Sequence, residues 1–365
     1  MFNVAFIARS TLYTVKGGDT IQILETAKHI ALLGINVEIK LTDEPIDYIK
    51  YDLLHFFNII RPADILFHIE KSKKPYAVST ILIDYSEYDK YHRKGIIGNI
   101  FKFLPSHSIE YLKTIGRFLK GNDRLMTKSY WWNGQRKSIK KIIDKASLLF
   151  TNSALEQQKL IELYKCSGVF STVSNGIDPE LFKYNNTLKK THNLVLCAAR
   201  IEGIKNQINL IKALNNTKYQ LLIVGSAAPG QLSYYMDCKN IAADNVTFIE
   251  HLPQEQLVEL YQKAKVHVLP SWFETCGLSS LEAAIMGCNI VVTEKGYTRE
   301  YYENYAFYCN PASPESILKA VDNAANSVEP FDFRKKILTR YTWLHTAVDT
   351  VKAYHLIFQN SWQYV

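Results

Sequence analysis

Along this chain, short apolar runs alternate with stretches of helical spacing. Runs at 3–8 (NVAFIA), 36–41, 52–57 and 76–82 predict four strands in the first half. Their apolar character is continuous, not alternating, which suits a parallel sheet covered on both faces. Between the first two runs stand Gly17, Gly18 and Asp19, then Ile21, Leu24, Ala27 and Ala31 at helical spacing, with Gly34 as the stop. A strand at 147–152, a helix over 154–165 and a strand at 169–174 resume the pattern. Asn175-Gly176 marks a turn, and the polar stretch 183–193 marks a linker. A second series follows, with strands at 194–199, 219–225, 246–250, 266–270 and 289–293 and helices in the gaps.

Two successive alternating series predict an α/β protein of two Rossmann-like, doubly wound domains facing across a cleft. The expected division is an N-terminal domain over 1–175, a linker over 176–192 and a C-terminal domain over 193–342. A last helical stretch, 343–365, is a candidate to cross back to the first domain. Ligands of such sheets bind beyond the carboxyl ends of the strands, so the cleft is the expected active site.

Composition narrows the picture. With 365 residues, 47% hydrophobic and 21% charged, the chain has room for two cores and is not disordered. Its net charge of +8 is localised: from Lys90 to Lys145 there are 14 Lys and Arg against three acids, a net of +11. The rest is slightly acidic, which argues against a general nucleic-acid coat, and no nucleic-acid-binding module is visible. The six cysteines form neither a C-x-x-C nor a zinc-spaced cluster and read as reduced, largely buried thiols. The start, MFNVAFIARS, reads as a first strand instead of a signal peptide, and no apolar run approaches ~18 residues. A cytoplasmic protein is expected, with the inner face of a membrane as a peripheral location.

The most informative stretch is 270–293, PSWFETCGLSSLEAAIMGCNIVVT. A strand ends at Pro270, a loop carries Glu274, Cys276 and Gly277, and a helix opens near Leu278. Backbone N–H groups at a helix N-terminus suit a diphosphate, and Gly277 permits close backbone approach. Glu282, in or near the first turn, can accept two hydrogen bonds from a ribose diol; Glu274 can address another part of the same ligand. Either acid alone also reads as a solvated carboxylate beside a capped helix. Arg200 ends a strand and Lys205 follows at a helix start, so two cations are placed to neutralise a leaving diphosphate. Gly17-Gly18 fits a loop whose N–H groups reach a donor phosphate, and equally a plain turn. The chain has no D-x-D, H-E-x-x-H, G-x-G-x-x-G or G-x-x-x-x-G-K-[ST]. Arg200 and Lys205 are then expected to do the work of a metal, with no cofactor beyond a UDP- or GDP-sugar donor.

These residues resemble glycosyltransferase family 4, retaining enzymes of the GT-B fold. The resemblance rests on Pro270, Ser271, Glu274, Gly277, Leu278, Glu282, Ala283 and Gly287, on SNGIDPELF (174–182), on TNSALEQQ (151–158) and on the cations Arg200 and Lys205. It implies that Glu274 contacts the transferred sugar and that Glu282 holds the ribose. It also implies that the Gly277 and Leu278 N–H groups, with the two cations, bind the diphosphate. Residues 249–252, Ile249 and Leu252 among them, would lie near the base. Many family members carry a histidine after the fourth strand; here STILIDYSEY (79–88) has none. Asp84 and Tyr85 are acceptor-side candidates in that space. So is His55, which also reads as a packed core histidine.

In the basic segment, Ile109, Leu112, Ile115, Phe118 and Leu119 share one helical face and Lys113, Arg117 and Lys120 the other. Trp131-Trp132 follow, with Arg136, Lys137, Lys140 and Lys141 behind them. Over 94–141 this pattern suits an anionic membrane and a lipid-linked or glycan acceptor, as in cell-surface polysaccharide or lipopolysaccharide synthesis. It equally suits apolar faces packed on the first domain with solvated charges. The alternatives in function are a 2-epimerase of the same architecture and a non-catalytic interaction protein.

Overall fold

The computed structural model describes residues 2–93, 95–119, 121, 127–250 and 252–361, without the side chains of Ile96 and of 358–361. Lys94, Lys120 and His251 therefore lie outside the described residues. The chain divides into two units, one of Met1–Ile83, Gly95–Asn175 and Trp343–Val365, the other of Asp84–Lys94 and Gly176–Thr342.

The first unit holds strands β1 (Asn3–Ala8), β2 (Asn36–Leu41), β3 (Leu53–Phe57), β4 (Tyr76–Ser79), β5 (Leu148–Thr151) and β6 (Phe170–Thr172), in the order β2-β1-β3-β4-β5-β6. All pairs are parallel. The apolar run of β1 serves both faces: Val4, Phe6 and Ala8 enter one core cluster, Ala5 and Ile7 the other. This is why the run is continuous in sequence. Helices Gly18–Leu32 and Trp343–Ser361 pack together in this unit. β4 ends at Ser79, short of the 76–82 run, although the Thr80 N–H still donates to the Phe150 carbonyl of β5 at 2.9 Å.

His55 is corrected here. All five residues of β3 are buried, and His55 is 1% exposed. Its Nδ1 lies 2.5 Å from the Tyr354 hydroxyl and its Nε2 2.9 Å from the Ser79 hydroxyl. Burial pushes its pKa down to about 3. It is a neutral, satisfied core residue with no face left for an acceptor.

The apolar face expected in the basic segment is only partly covered. On helix Ser106–Leu119, Ile109 is buried, whereas Leu112 and Leu119 are exposed. Phe103 and Trp132 are each almost fully exposed, at 88% and 89%. Lys113 is tied to Glu110 at 2.6 Å. Among the described residues no helix is long and apolar enough to cross a membrane.

The second unit holds β7 (Thr191–Ala198), β8 (Gln220–Val224), β9 (Val246–Ile249), β10 (Ala264–Leu269), β11 (Asn289–Thr293) and β12 (Ala306–Cys309). Their order is β12-β11-β10-β7-β8-β9, again all parallel. β7 is flanked by β8 on one side and by β10 on the other, so the chain reverses its direction of winding between β7 and β10. That switch point opens a crevice at the carboxyl ends of the two strands. All six cysteines are buried and unbridged.

Candidate functional site

The loops after β7 and β10 meet over this switch point. The first runs through a 3₁₀ turn, Gly203–Lys205, to helix Gln207–Leu214. Asn206 sits between them with φ +60°, a conformation asparagine tolerates. Its side-chain amide donates to the Pro270 and Pro311 carbonyls at 3.0 and 2.8 Å. The Trp272 N–H donates to the Ile204 carbonyl at 2.8 Å. The two loops are thus stitched by backbone and amide before any charged pair forms.

Onto that frame come the charges. Lys205 Nζ donates to Glu274 Oε2 at 2.7 Å, and the Ser271 hydroxyl donates to the same oxygen at 3.0 Å. Glu274 is 7% exposed. Its backbone is held as well: its N–H donates to the Lys295 carbonyl at 3.3 Å, and its carbonyl accepts from Tyr297 at 2.9 Å. Gly296, at φ +98°, makes this approach possible, because a Cβ there would overlap the Glu274 carbonyl. Arg200 pairs instead with Glu202 at 2.9 Å and stays partly exposed. The two cations therefore occupy one loop with different partners, Lys205 against Glu274 and Arg200 against Glu202 toward solvent.

Gly277, at φ +71°, opens helix Leu278–Ile285, and no side chain caps that end. The Ser280 N–H turns back to the Gly277 carbonyl at 2.8 Å, while the N–H groups of Leu278 and Ser279 precede the first helical hydrogen bonds. The Tyr302 hydroxyl fixes the loop by donating to the Cys276 and Gly277 carbonyls at 2.9 and 3.0 Å. The Cys276 side chain is buried in the core, where burial raises its thiol pKa well above the ordinary value. Only its backbone is available to a ligand.

Glu282 is the fifth residue of the helix, just past its first turn and close to where the sequence placed it. Its half-buried carboxylate accepts from the Tyr261 hydroxyl at 3.1 Å. Burial pushes its pKa up to about 7, against a smaller lowering by that hydrogen bond. Ile249 and Leu252 are half-buried against the same core cluster. Gly225 lets β8 end close to the first loop, since a Cβ there would overlap the Ala199 carbonyl.

The remaining candidates separate. Gly17 is the N-cap of helix Gly18–Leu32 in extended backbone, and its N–H donates to the Thr20 hydroxyl at 3.1 Å. That bond occupies the Gly17 N–H, which removes it from phosphate binding. Gly18 is the first residue of the helix. Asp84 and Tyr85 belong to the second unit, where Asp84 accepts from the Ser86 N–H at 2.9 Å and the Tyr85 carbonyl from the Asp89 N–H at 2.8 Å.

Several residues of this site escaped the sequence reading: Gly296, Lys295, Glu202 and Trp272. Lys295-Gly296 comes one residue beyond a predicted strand, the position from which loops line a switch point, and that was the available signal.

Comparison with known proteins accords with this geometry. The family model described as "Glycosyl transferases group 1" matches residues 179–336, nearly all of the second unit's main segment. An uncharacterised glycosyltransferase of Methanocaldococcus jannaschii is 26% identical over 213 residues, 51% of this chain and 54% of the relative. The chain spans about half the length of the first curated relatives it matches. Among solved structures, sucrose-phosphate synthase from Thermosynechococcus elongatus superposes with a TM-score of 0.75 at 15% identity, covering 99% of this chain and 100% of that one. Anabaena HepE, solved in complex with UDP-glucose, superposes with a TM-score of 0.70 at 16% identity over 96% and 99%. The fold class is that of the GT-B glycosyltransferases, two Rossmann-like α/β units.

Proposed function

We propose that the protein is a retaining, metal-independent glycosyltransferase of family 4 type, acting on a nucleotide-diphosphate sugar. The observation that carries this reading is the Lys205–Glu274 pair at the β7/β10 switch point, beside a helix N-terminus that no side chain caps. The N–H groups of Gly277 and Leu278, with Lys205 and Arg200, hold the diphosphate and neutralise its charge as it leaves. Glu274 accepts from hydroxyls of the sugar. Glu282 accepts from the ribose diol, and Ile249 and Leu252 flank the base. The bond between the anomeric carbon and the diphosphate oxygen breaks. An acceptor hydroxyl bonds to the same face of that carbon and passes its proton to the departing phosphate oxygen. A UDP-sugar donor is favoured by the likeness to HepE.

The acceptor is a glycan or lipid-linked glycan, as in surface polysaccharide or lipopolysaccharide synthesis, and Asp84 and Tyr85 remain its candidate contacts. The exposed Phe103, Leu119 and Trp132 on a strongly basic segment support peripheral docking on an anionic membrane. In flotation with anionic liposomes, Phe103→Ser/Trp132→Ser should bind less than wild type; equal binding removes this role.

The direct test of the activity is incubation with UDP- and GDP-sugars, following release of the nucleoside diphosphate and the anomeric configuration of the product by NMR. Release from one donor with retention is expected, and inversion or no release from any donor overturns the reading.

A further inference from the structure

Residues 84–93 leave the first unit's sequence to join the second, and they do so around the candidate site. Three contacts reach three different parts of it. The Glu87 carboxylate is paired with Lys295 Nζ, with Oε2 at 2.6 Å. Lys295 is the residue whose carbonyl accepts the Glu274 N–H. The His92 ring stacks on Trp272, centroids 3.4 Å apart and planes 11° from parallel. Trp272 lies between Ser271 and Glu274 in sequence and donates its N–H to Ile204. Tyr88 fills the space above Gly203, where a Cβ would overlap its hydroxyl. Gly203 opens the turn that ends at Lys205.

The segment is itself braced. Tyr88–His92 form a π-helical turn, closed by the Arg93 N–H on the Tyr88 carbonyl at 2.9 Å. Asp89, 1% exposed, pairs with Arg93 at 2.7 Å, and the Arg93 guanidinium lies 5.6 Å from the Tyr88 ring centroid. A single π-helical turn is rare and is found frequently at functional sites. Here it sends Tyr88 and His92 to two different loops, while Glu87, just before the turn, reaches a third.

We propose that residues 84–93 are a positioning strap, in which Glu87, Tyr88 and His92 hold the loops carrying Lys205 and Glu274 in register for sugar transfer. This rests on the donor reading above for its catalytic consequence, and not for its structural one. The three contacts named above fall on Lys295, Trp272 and Gly203. The strap acts through these residues, so its loss misplaces the reacting groups without removing any of them.

The test has two readouts on the full chain. Hydrogen exchange of peptides covering 203–206 and 271–277 is compared, without ligand, in wild type, His92→Ala and His92→Phe. His92→Ala should speed exchange in both peptides, and His92→Phe, which keeps a stacking ring, should restore it. Turnover of UDP-glucose should fall about tenfold in kcat for His92→Ala, with a smaller change in KM. Glu87→Lys should behave likewise and be rescued by Lys295→Glu. Unchanged exchange in His92→Ala, or no rescue by either second substitution, overturns the strap. Failure of wild type to bind UDP or turn over UDP-glucose counts against the donor reading instead, and the exchange comparison still decides the strap.

Discussion

Lys205 Nζ sits 2.7 Å from Glu274 Oε2, so a cation from the loop after β7 and an acid from the loop after β10 meet across the switch point. Glu274 is nearly buried, and Lys205 is about a fifth exposed. Breaking such a pair leaves an uncompensated charge in a poorly hydrated site, which costs about 3 kcal/mol at the low end of buried pairs. Lys205→Met should therefore lower the urea midpoint markedly. The double variant Lys205→Met/Glu274→Gln should recover most of that loss, because no lone charge remains. Additive losses in the double variant would contradict the pairing.

Gly296 makes a second prediction that touches no charged group. A side chain there meets both a backbone at φ +98° and the Glu274 carbonyl. Gly296→Ala should reduce transfer at least about tenfold by displacing Glu274, whose carboxylate is intact. Wild-type kcat in that variant would show that the backbone of Glu274 is not critically placed.

Glu282 predicts a pH dependence. With its pKa raised from 4.5 to about 7 by burial, the folded state holds the proton that the unfolded state has lost. Its contribution to stability therefore falls as pH rises from about 4.5 to 7 and stays low above that. If the proposed ribose contact is made by the Glu282 carboxylate, UDP affinity should move the opposite way and strengthen from pH 6 to 8. Calorimetric titration at the two values checks this, and Glu282→Gln should bind weakly at both. A wild-type affinity independent of pH would detach Glu282 from the ribose.

Buried histidines act in the other direction. Burial lowers the pKa of His55 and His267 to about 3 and that of His68 to about 4, from 6.5. The unfolded chain takes up protons below pH 6.5 that the folded core refuses, so this stability is complete above 6.5 and is lost as pH falls toward 4. The urea midpoint should drop between pH 7 and 5, and His55→Gln should narrow the drop while kcat at pH 7 is little changed. A drop of equal size in His55→Gln would place the acid sensitivity elsewhere.

Much of the fold was legible because parallel strands covered on both faces leave an unmistakable trace: Val4 to Ala8 and Leu194 to Ala198 are apolar at every position. The loops at 270–277 and 200–205 were legible because glycine, proline and charge cluster after predicted strands. His55 was misleading for a related reason. A histidine in an apolar strand looks the same whether it faces the end of the sheet or, as here, Tyr354 and Ser79 in the core. The Glu87–Lys295 pair was invisible because 208 residues separate its partners, and only the course of residues 84–93 brings them together. Gly17 looked like a phosphate loop because the capping bond to Thr20 depends on where the helix begins.

The central claim is that the β7/β10 switch point binds a nucleoside diphosphate through Lys205 and Glu282. The measurement that meets it most directly is calorimetric titration of UDP and GDP into wild type, Lys205→Met and Glu282→Gln at pH 8. One of the two nucleotides should bind wild type and bind each variant at least about tenfold more weakly, a loss of about 1.4 kcal/mol apiece. Binding of neither nucleotide, or equal binding by wild type and both variants, would contradict the account.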